Sequence, residues 1–152
     1  MAEMRMENAR DPEQLRRMQE LAEKGECHFC IETYTKNYPD KILYGNAGWY
    51  VVQNDFVYSE GVHHYLIVSK THLTKVTQLG HYAKLELFYA IEWLERHLNA
   101  DGASIFVRSG DMARTGATLD HLHLHFLYGE KAGTDTEKVK VTLAYAKKEP
   151  QE

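Results

Sequence analysis

Three histidines in strict alternation with apolar residues set the strongest limit on how this chain can fold. His121, His123 and His125 are separated by Leu122 and Leu124. A period of two is the period of a β-strand, so the pattern predicts a strand whose three imidazoles share one face. Neighbouring imidazoles on such a face lie about 6–7 Å apart, a spacing at which one phosphate group can contact two of them.

The alternation is open to a plain interpretation, a half-buried strand whose polar face is histidine, and to functional ones: a metal cluster, a catalytic set of imidazoles, or both. On one straight strand the three rings span too far to converge on a single ion. A catalytic metal bound by all three histidines is therefore the least favoured of the possible functions.

Composition restricts the class of protein. The 152 residues, 43% of them hydrophobic and 26% charged, are typical of one globular domain, and we expect residues 1–10 and 148–152 to be flexible. A net charge of −4 disfavours nucleic acid as a partner. No apolar run reaches the ~20 residues of a membrane span, and residues 1–10 lack the apolar part of a secretory signal. We therefore expect a cytoplasmic protein with no membrane partner.

The chain has two cysteines, Cys27 and Cys30, in a C-x-x-C pattern. A thioredoxin-type redox pair should follow a strand, whereas the preceding residues have a helical pattern. Two unrelated buried thiols are a second interpretation. The favoured one is a structural zinc site, because this spacing lets both thiolates reach one tetrahedral ion, which then needs two further ligands.

The remaining patterns predict an α+β domain. Asp11 and Pro12 indicate a helix start and Gly25 its end, and the stripe of apolar residues within 80–99 indicates a long helix. Period-two or apolar runs predict strands at 42–44, 49–52, 64–68, 103–107 and 137–147. The loop 108–119 follows the strand at 103–107 and leads into the histidine segment. Its glycines and hydroxyl residues can present N–H and O–H groups to phosphate oxygens, and Arg108 and Arg114 are sources of positive charge.

The segment from His121 to Leu127 resembles the signature of the histidine triad (HIT) superfamily, in which three histidines alternate with apolar residues. His64, Lys70 and His72 match a second pattern of that family, although Ser69 stands where proline is usual. The resemblance extends over roughly residues 27–129. It implies an antiparallel sheet of about five strands with one long helix packed on it, and a homodimer.

The resemblance also implies a nucleotide hydrolase or nucleotidyl transferase acting on a nucleotide or dinucleotide. His123 corresponds to the nucleophile that forms a nucleotidyl-histidine intermediate at the α-phosphate, with His125 and His64 beside it. His72 and His121 would complete the structural zinc site with the two cysteines.

Substrate contacts follow from the same resemblance. Asn54 or Asp55 would bind the ribose, and Ser109, Gly116, Ala117 and Thr118 would contact the phosphates. The family carries an asparagine near the start of this loop, where this chain has Arg108 or Ser109. Because that departure affects the leaving group, two alternatives stay open: phosphorolysis of dinucleoside polyphosphates, and a nucleotide-binding sensor without turnover.

Overall fold

The computed structural model describes residues 3–150 and confirms the predicted α+β architecture. Its nine helices and strands within those residues are α1 (Pro12–Lys24), α2 (Ile31–Asn37), β1 (Ile42–Gly45), β2 (Trp49–Gln53), β3 (His63–Ser69), α3 (His81–Leu98), β4 (Ser104–Val107), α4 (Met112–Thr115) and β5 (His123–Tyr128). Short 3-10 turns occur at Met6–Asn8 and Val76–Gln78.

The five strands form one antiparallel sheet in the order β1-β2-β3-β5-β4. The histidine strand β5 lies between β3 and the edge strand β4. In this register His125 is opposite Leu66 and His123 is opposite Val68. His64 lies on β3 with the same parity as Leu66, so its ring is on the face of the sheet that carries His123 and His125.

Helix α1 begins and ends where the sequence predicts. The Asp11 side chain accepts hydrogen bonds from the backbone N–H groups of Glu13 and Gln14, and Pro12 occupies the first turn. Gly25 ends the helix in the left-handed conformation, with φ 66°. Within residues 3–150, no helix is both long and apolar enough to cross a membrane.

Each face of the sheet has its own core. Helix α3 packs on one face, where the buried residues include Trp49, Ile67, Leu94 and Phe126. The opposite face carries the histidines and is covered near β2 by the segment around α2. The buried residues there are Phe29, Tyr34, Tyr50, Val52, Leu66 and Val68.

The structure differs from the sequence prediction at the triad. Strand β5 begins at His123, so His121 lies just before the strand and not on it. The His121 ring instead contacts Ser69 O and the side chain of Cys27. The prediction that all three histidines belong to one strand is therefore wrong for the first of them.

The predicted strand 137–147 is also absent from the described residues, where this segment has no regular secondary structure. The carbonyl of Thr142 accepts hydrogen bonds from Arg108 and not from a neighbouring strand. Val139, Leu143 and Tyr145, which the alternation placed on a buried face, are exposed.

At the other end, Arg5 N–H donates to Thr118 O and Met4 pairs with Leu119, so residues 3–10 lie against the loop before the triad. The part of the flexibility prediction that concerns residues 1, 2, 151 and 152 lies outside the described residues.

Candidate active site and metal site

The four residues expected to hold zinc meet at one point. The Sγ atoms of Cys27 and Cys30 and one ring nitrogen each of His72 and His121 all lie within 4.8 Å of one another. Cys27 Sγ is 3.3 Å from His121 Nδ1, Cys30 Sγ is 3.3 Å from His72 Nδ1, and the two Nδ1 atoms are 3.1 Å apart. A tetrahedral zinc with bonds of ~2.0–2.3 Å separates its ligand atoms by about 3.3–3.8 Å. The donor set and its geometry therefore fit zinc.

A backbone carbonyl orients one of these ligands. His121 Nε2 lies 2.7 Å from Ser69 O, so Nε2 carries the proton and Nδ1 has its lone pair directed at the thiols. Burial lowers the pKa of His121 to about 4, which keeps the ring neutral. Burial, followed by the neighbouring Cys27, raises the pKa of the Cys30 thiol to about 12, so a thiolate pair here requires a cation beside it.

His123 is fixed by the backbone of the same segment. Its Nδ1 donates to the carbonyl of His121 over 2.7 Å, which leaves the lone pair on Nε2. Burial lowers the pKa of His123 to about 4, so the imidazole is neutral near pH 7. A neutral, oriented imidazole with a free lone pair has the properties of a nucleophile.

His125 and His64 form a hydrogen-bonded pair with a defined proton order. Arg108 Nη1 is 3.3 Å from His125 Nε2, and a guanidinium can only donate, so this nitrogen of His125 is the acceptor. The proton of neutral His125 is then on Nδ1, which lies 2.8 Å from His64 Nε2 and donates to it. Burial, the largest cause in both, lowers the pKa of His64 to about 3 and that of His125 well below its usual value.

Aromatic rings hold this pair in place. Tyr58 stacks on His64 with ring centroids 4.6 Å apart, and its hydroxyl is 2.9 Å from Arg108 Nη1. Phe106 stacks on His125 at 4.6 Å with an angle of 8° between the planes. The rings restrict the rotamers of both histidines, which keeps their donors and acceptors aligned.

His123 and His125 form part of the wall of a cavity of about 520 Å³, a volume suited to a nucleotide-sized ligand. Further lining residues come from three parts of the chain: Asn8, Arg10, Arg17, Met18 and Leu21 near the N-terminus, Asn54, Asp55, Phe56 and Tyr58 after β2, and Lys140, Val141, Thr142 and Tyr145 in the C-terminal segment.

A family model for the HIT domain matches residues 35–132, well over half of the chain. The chain belongs to the HIT domain family. Among solved structures, a HIT family hydrolase from Clostridium thermocellum is similar to it, with a TM-score of 0.56 and 23% identity over 72% of this chain and 95% of that one. No match was found among curated proteins.

Two further structures have the same fold. A zinc-bound histidine triad family protein from Mycobacterium smegmatis gives a TM-score of 0.57 and 22% identity over 77% of this chain and 81% of that one. A histidine triad nucleotide-binding protein from Candida albicans gives 0.57 and 19% over 76% and 86%. The family assignment, and the α+β fold with its five-stranded sheet, are therefore confirmed.

The HIT domain match leaves out parts of both sites. Cys27 and Cys30 precede residue 35, as do Arg10 and Arg17, and the C-terminal segment that closes the cavity lies beyond residue 132. The matched region supplies the sheet, the histidines and the loop before them, while both ends of the chain complete the cavity wall.

The structure distinguishes Asn54 from Asp55, which were equivalent candidates for the ribose contact in the sequence. Both line the cavity, but the Asp55 carboxylate forms ion pairs with Arg17 at 2.8 Å and Lys41 at 2.9 Å. Asn54 Nδ2 lies 3.2 Å from a ring nitrogen of His64, beside the histidine pair. Asn54 is therefore the nearer of the two to the histidines and keeps its amide free of charged partners.

Of the four loop residues predicted to contact phosphate, two line the cavity and two do not. Gly116 and Thr118 line the cavity. Ser109 Oγ accepts a hydrogen bond from the backbone of Val76, and Ala117 is buried with its carbonyl bound to Asn8, so neither side chain is part of the cavity wall. Arg114, proposed as a source of charge, lies largely exposed near Asp111.

Arg10, Tyr58 and Thr142 are cavity residues that sequence reasoning missed. Each lies in a segment with no chemical motif, and only folding brings them to the histidines. Tyr58 had a weak signal in the sequence. It is an aromatic residue only six positions before His64, so a turn between them can bring the two rings together. Nothing in the sequence around Arg10 or Thr142 indicates their position.

Proposed function

We propose that this HIT domain protein is a nucleotide hydrolase or nucleotidyl transferase that works through a covalent nucleotidyl-histidine at His123. The observation that carries the proposal is the 2.7 Å hydrogen bond from His123 Nδ1 to His121 O, because it leaves the Nε2 lone pair available for attack. The lowered pKa of His123 supports the same role, since the ring needs no deprotonation near pH 7.

In the proposed reaction, His123 Nε2 forms a bond to the α-phosphorus while the bond to the leaving oxygen breaks. The Arg108 guanidinium, adjacent to His125, stabilises the negative charge that develops on the leaving oxygen. Water or another acceptor then attacks phosphorus and releases a proton to solvent, and the N–P bond breaks so that its electron pair returns to Nε2 of neutral His123. In this proposal Asn54 contacts the sugar, and Gly116 and Thr118 contact the phosphate; all three line the cavity.

The proposed cofactor is a structural zinc held by Cys27, Cys30, His72 and His121. When bound, it supplies a cross-link and a positive charge for the thiolates, with no part in bond breaking. His121 connects the two sites, since its ring is a ligand and its carbonyl orients His123.

We also propose a cytoplasmic homodimer that does not bind nucleic acid. The exposed apolar side chains of α3 and the edge strand β4 support a dimer: Tyr82, Leu85, Phe88 and Tyr89 on the helix, and Ile105 and Val107 on the strand. The net charge of −4 argues against nucleic acid as the substrate. Light scattering after size-exclusion chromatography measures the oligomeric state directly.

Intact-mass spectrometry tests the covalent step. Wild type and the His123→Ala variant are mixed briefly with adenylyl and uridylyl donors and quenched without acid, which preserves a phosphoramidate. We expect a nucleotide-sized mass increase on wild type only, and the increase names the base. Nucleotide binding without any adduct or turnover would overturn the proposal in favour of a nucleotide sensor.

A further inference from the structure

Two arginines flank Tyr58 on the side of the cavity next to His125. The Arg10 guanidinium lies over the Tyr58 ring, 4.1 Å from its centroid. The Arg108 guanidinium contacts the hydroxyl of the same tyrosine at 2.9 Å and His125 Nε2 at 3.3 Å. Tyr58 thus contacts both guanidinium groups, which lie at one wall of the cavity.

Neither arginine forms an ion pair with a carboxylate among residues 3–150. Arg10 Nη2 donates to Phe56 O, and its Nε and Nη1 make no hydrogen bond within the same residues. Arg17, which lines the same cavity, is by contrast paired with Asp55 and Glu13. The cavity therefore has two uncompensated positive charges beside His125.

The position of Arg108 is fixed by its own chain. Nε donates to Thr115 O at 3.0 Å, and Nη2 donates to Thr142 O at 2.5 Å. These carbonyls orient the planar group before any ligand arrives, so little side-chain entropy is lost on binding. Burial lowers the pKa of Arg10, and the charge of Arg108 contributes to the same shift. An anion placed between the two groups relieves that repulsion.

We propose that Arg10 and Arg108 form a subsite for an oligophosphate leaving group, distinct from the place of the reacting phosphate at His123. This inference rests on the proposed nucleotidyl transfer and assigns the contacts of its leaving group to Arg10, which lies outside the region matched by the HIT domain, and to Arg108. As His123 Nε2 bonds to the α-phosphorus, the bridging oxygen keeps the electron pair of the broken P–O bond. The departing oligophosphate gains one negative charge, which the two guanidinium groups stabilise.

Direct binding of inorganic tripolyphosphate tests the subsite without any need for turnover. Isothermal titration calorimetry compares wild type, Arg10→Gln, Arg10→Lys and the control Arg16→Gln. Arg16 is on the exposed side of α1 in ion pairs with Glu13 and Glu20. We expect Kd to rise roughly tenfold in Arg10→Gln, because a charge-assisted contact is lost, and less in Arg10→Lys, which retains the charge.

We expect Arg16→Gln to bind tripolyphosphate as wild type does. Equal affinity of wild type and Arg10→Gln, or no binding to wild type at millimolar tripolyphosphate, would refute the subsite. Circular dichroism and thermal melting confirm that the variants are folded, so that a change in Kd reflects the site.

Enzyme kinetics with two substrates provide a second test of the subsite. The kcat/KM for diadenosine tetraphosphate is divided by that for an adenosine 5′-phosphoramidate, whose leaving group is an uncharged amine. This ratio should fall about tenfold in Arg10→Gln, whereas an unchanged ratio would overturn the subsite. The His123→Ala variant separates the two proposals: tripolyphosphate binding that persists there supports the subsite, even if no covalent adduct forms on wild type.

Discussion

Acid should destabilise this protein in a way that depends on His64. The ring is fully buried, with 0% of its surface exposed, and burial lowers its pKa to about 3. The nearby Arg10, His123 and Arg108 lower the pKa further, and His125 is the hydrogen-bond partner of the ring. In the unfolded chain the pKa returns to ~6.5.

The direction in which the unfolding free energy changes with pH depends on which state, folded or unfolded, binds the proton. Between pH 6.5 and about 3 the unfolded chain is protonated at His64 and the folded protein is not. The stabilising contribution is therefore complete above pH 6.5 and is lost as the pH falls. Each pH unit in this window costs about 1.4 kcal/mol, so lowering the pH from 6.5 to 5 costs about 2 kcal/mol for this one group.

Urea unfolding of wild type and His64→Asn at pH 7.5, 6.5, 5.5 and 5.0 measures this contribution. The amide of asparagine can still accept from His125 but has no proton to gain. We expect the difference in unfolding free energy between the two proteins to shift by about 2 kcal/mol from pH 7.5 to 5.0, with the variant losing less. Loss of metal at low pH affects both proteins and cancels in the difference.

His63 supplies the matched control, because it is the preceding residue on β3 and its side chain is exposed. His63→Asn should follow the pH dependence of wild type. If the difference between wild type and His64→Asn were constant with pH, the folded protein would be protonating this site. The assignment of a neutral His125–His64 pair would then be wrong.

Three further predictions concern the metal site, the core and the C-terminal segment. Cys30→Ser should lower bound zinc, measured by atomic emission, below one ion per chain and reduce the melting temperature, because a thiolate ligand is lost; a full complement of zinc would contradict the site. Leu94→Ala should reduce the unfolding free energy by about 2–5 kcal/mol in urea titrations, since this side chain is fully buried between α3 and the sheet. Gly116→Ala should cost about 1–2 kcal/mol, because Gly116 has φ 77° and an added Cβ would lie 2.8 Å from Thr142 Cγ2; unchanged stability would show that the segment moves away without loss.

Local chemistry made much of the fold predictable. The cap at Asp11 and the left-handed Gly25 set the bounds of α1 through contacts within a few residues. The apolar stripe of the long helix reflects burial on one face, and the alternation in β5 places the histidines on one face of the sheet and the apolar residues on the other; both patterns are visible in the sequence. The C-x-x-C spacing and the resemblance to the family around His72 and His121 both indicated that these four side chains meet, and their ligand atoms do lie together.

Contacts between distant segments were not predictable. The alternation at 137–147 has the pattern of a strand, yet pairing also requires a sheet edge to receive it, and the Thr142 carbonyl is occupied by Arg108. The position of Arg10 over Tyr58 depends on contacts between the N-terminal segment and the residues after β2, which no local pattern encodes. His121 lies before the strand, and its ring contacts two partners outside the strand, the Ser69 carbonyl and the thiols.

The division of the cavity wall between matched and unmatched parts of the chain has a consequence for evolution. The histidines belong to the region shared with the HIT domain family, whereas Arg10, Thr142 and Tyr145 lie outside residues 35–132. Mutations near either terminus therefore change the wall of the cavity without altering the sheet that carries His123 and His125. Two proteins with the same sheet and the same histidines can then differ in the ligands that their cavities accept.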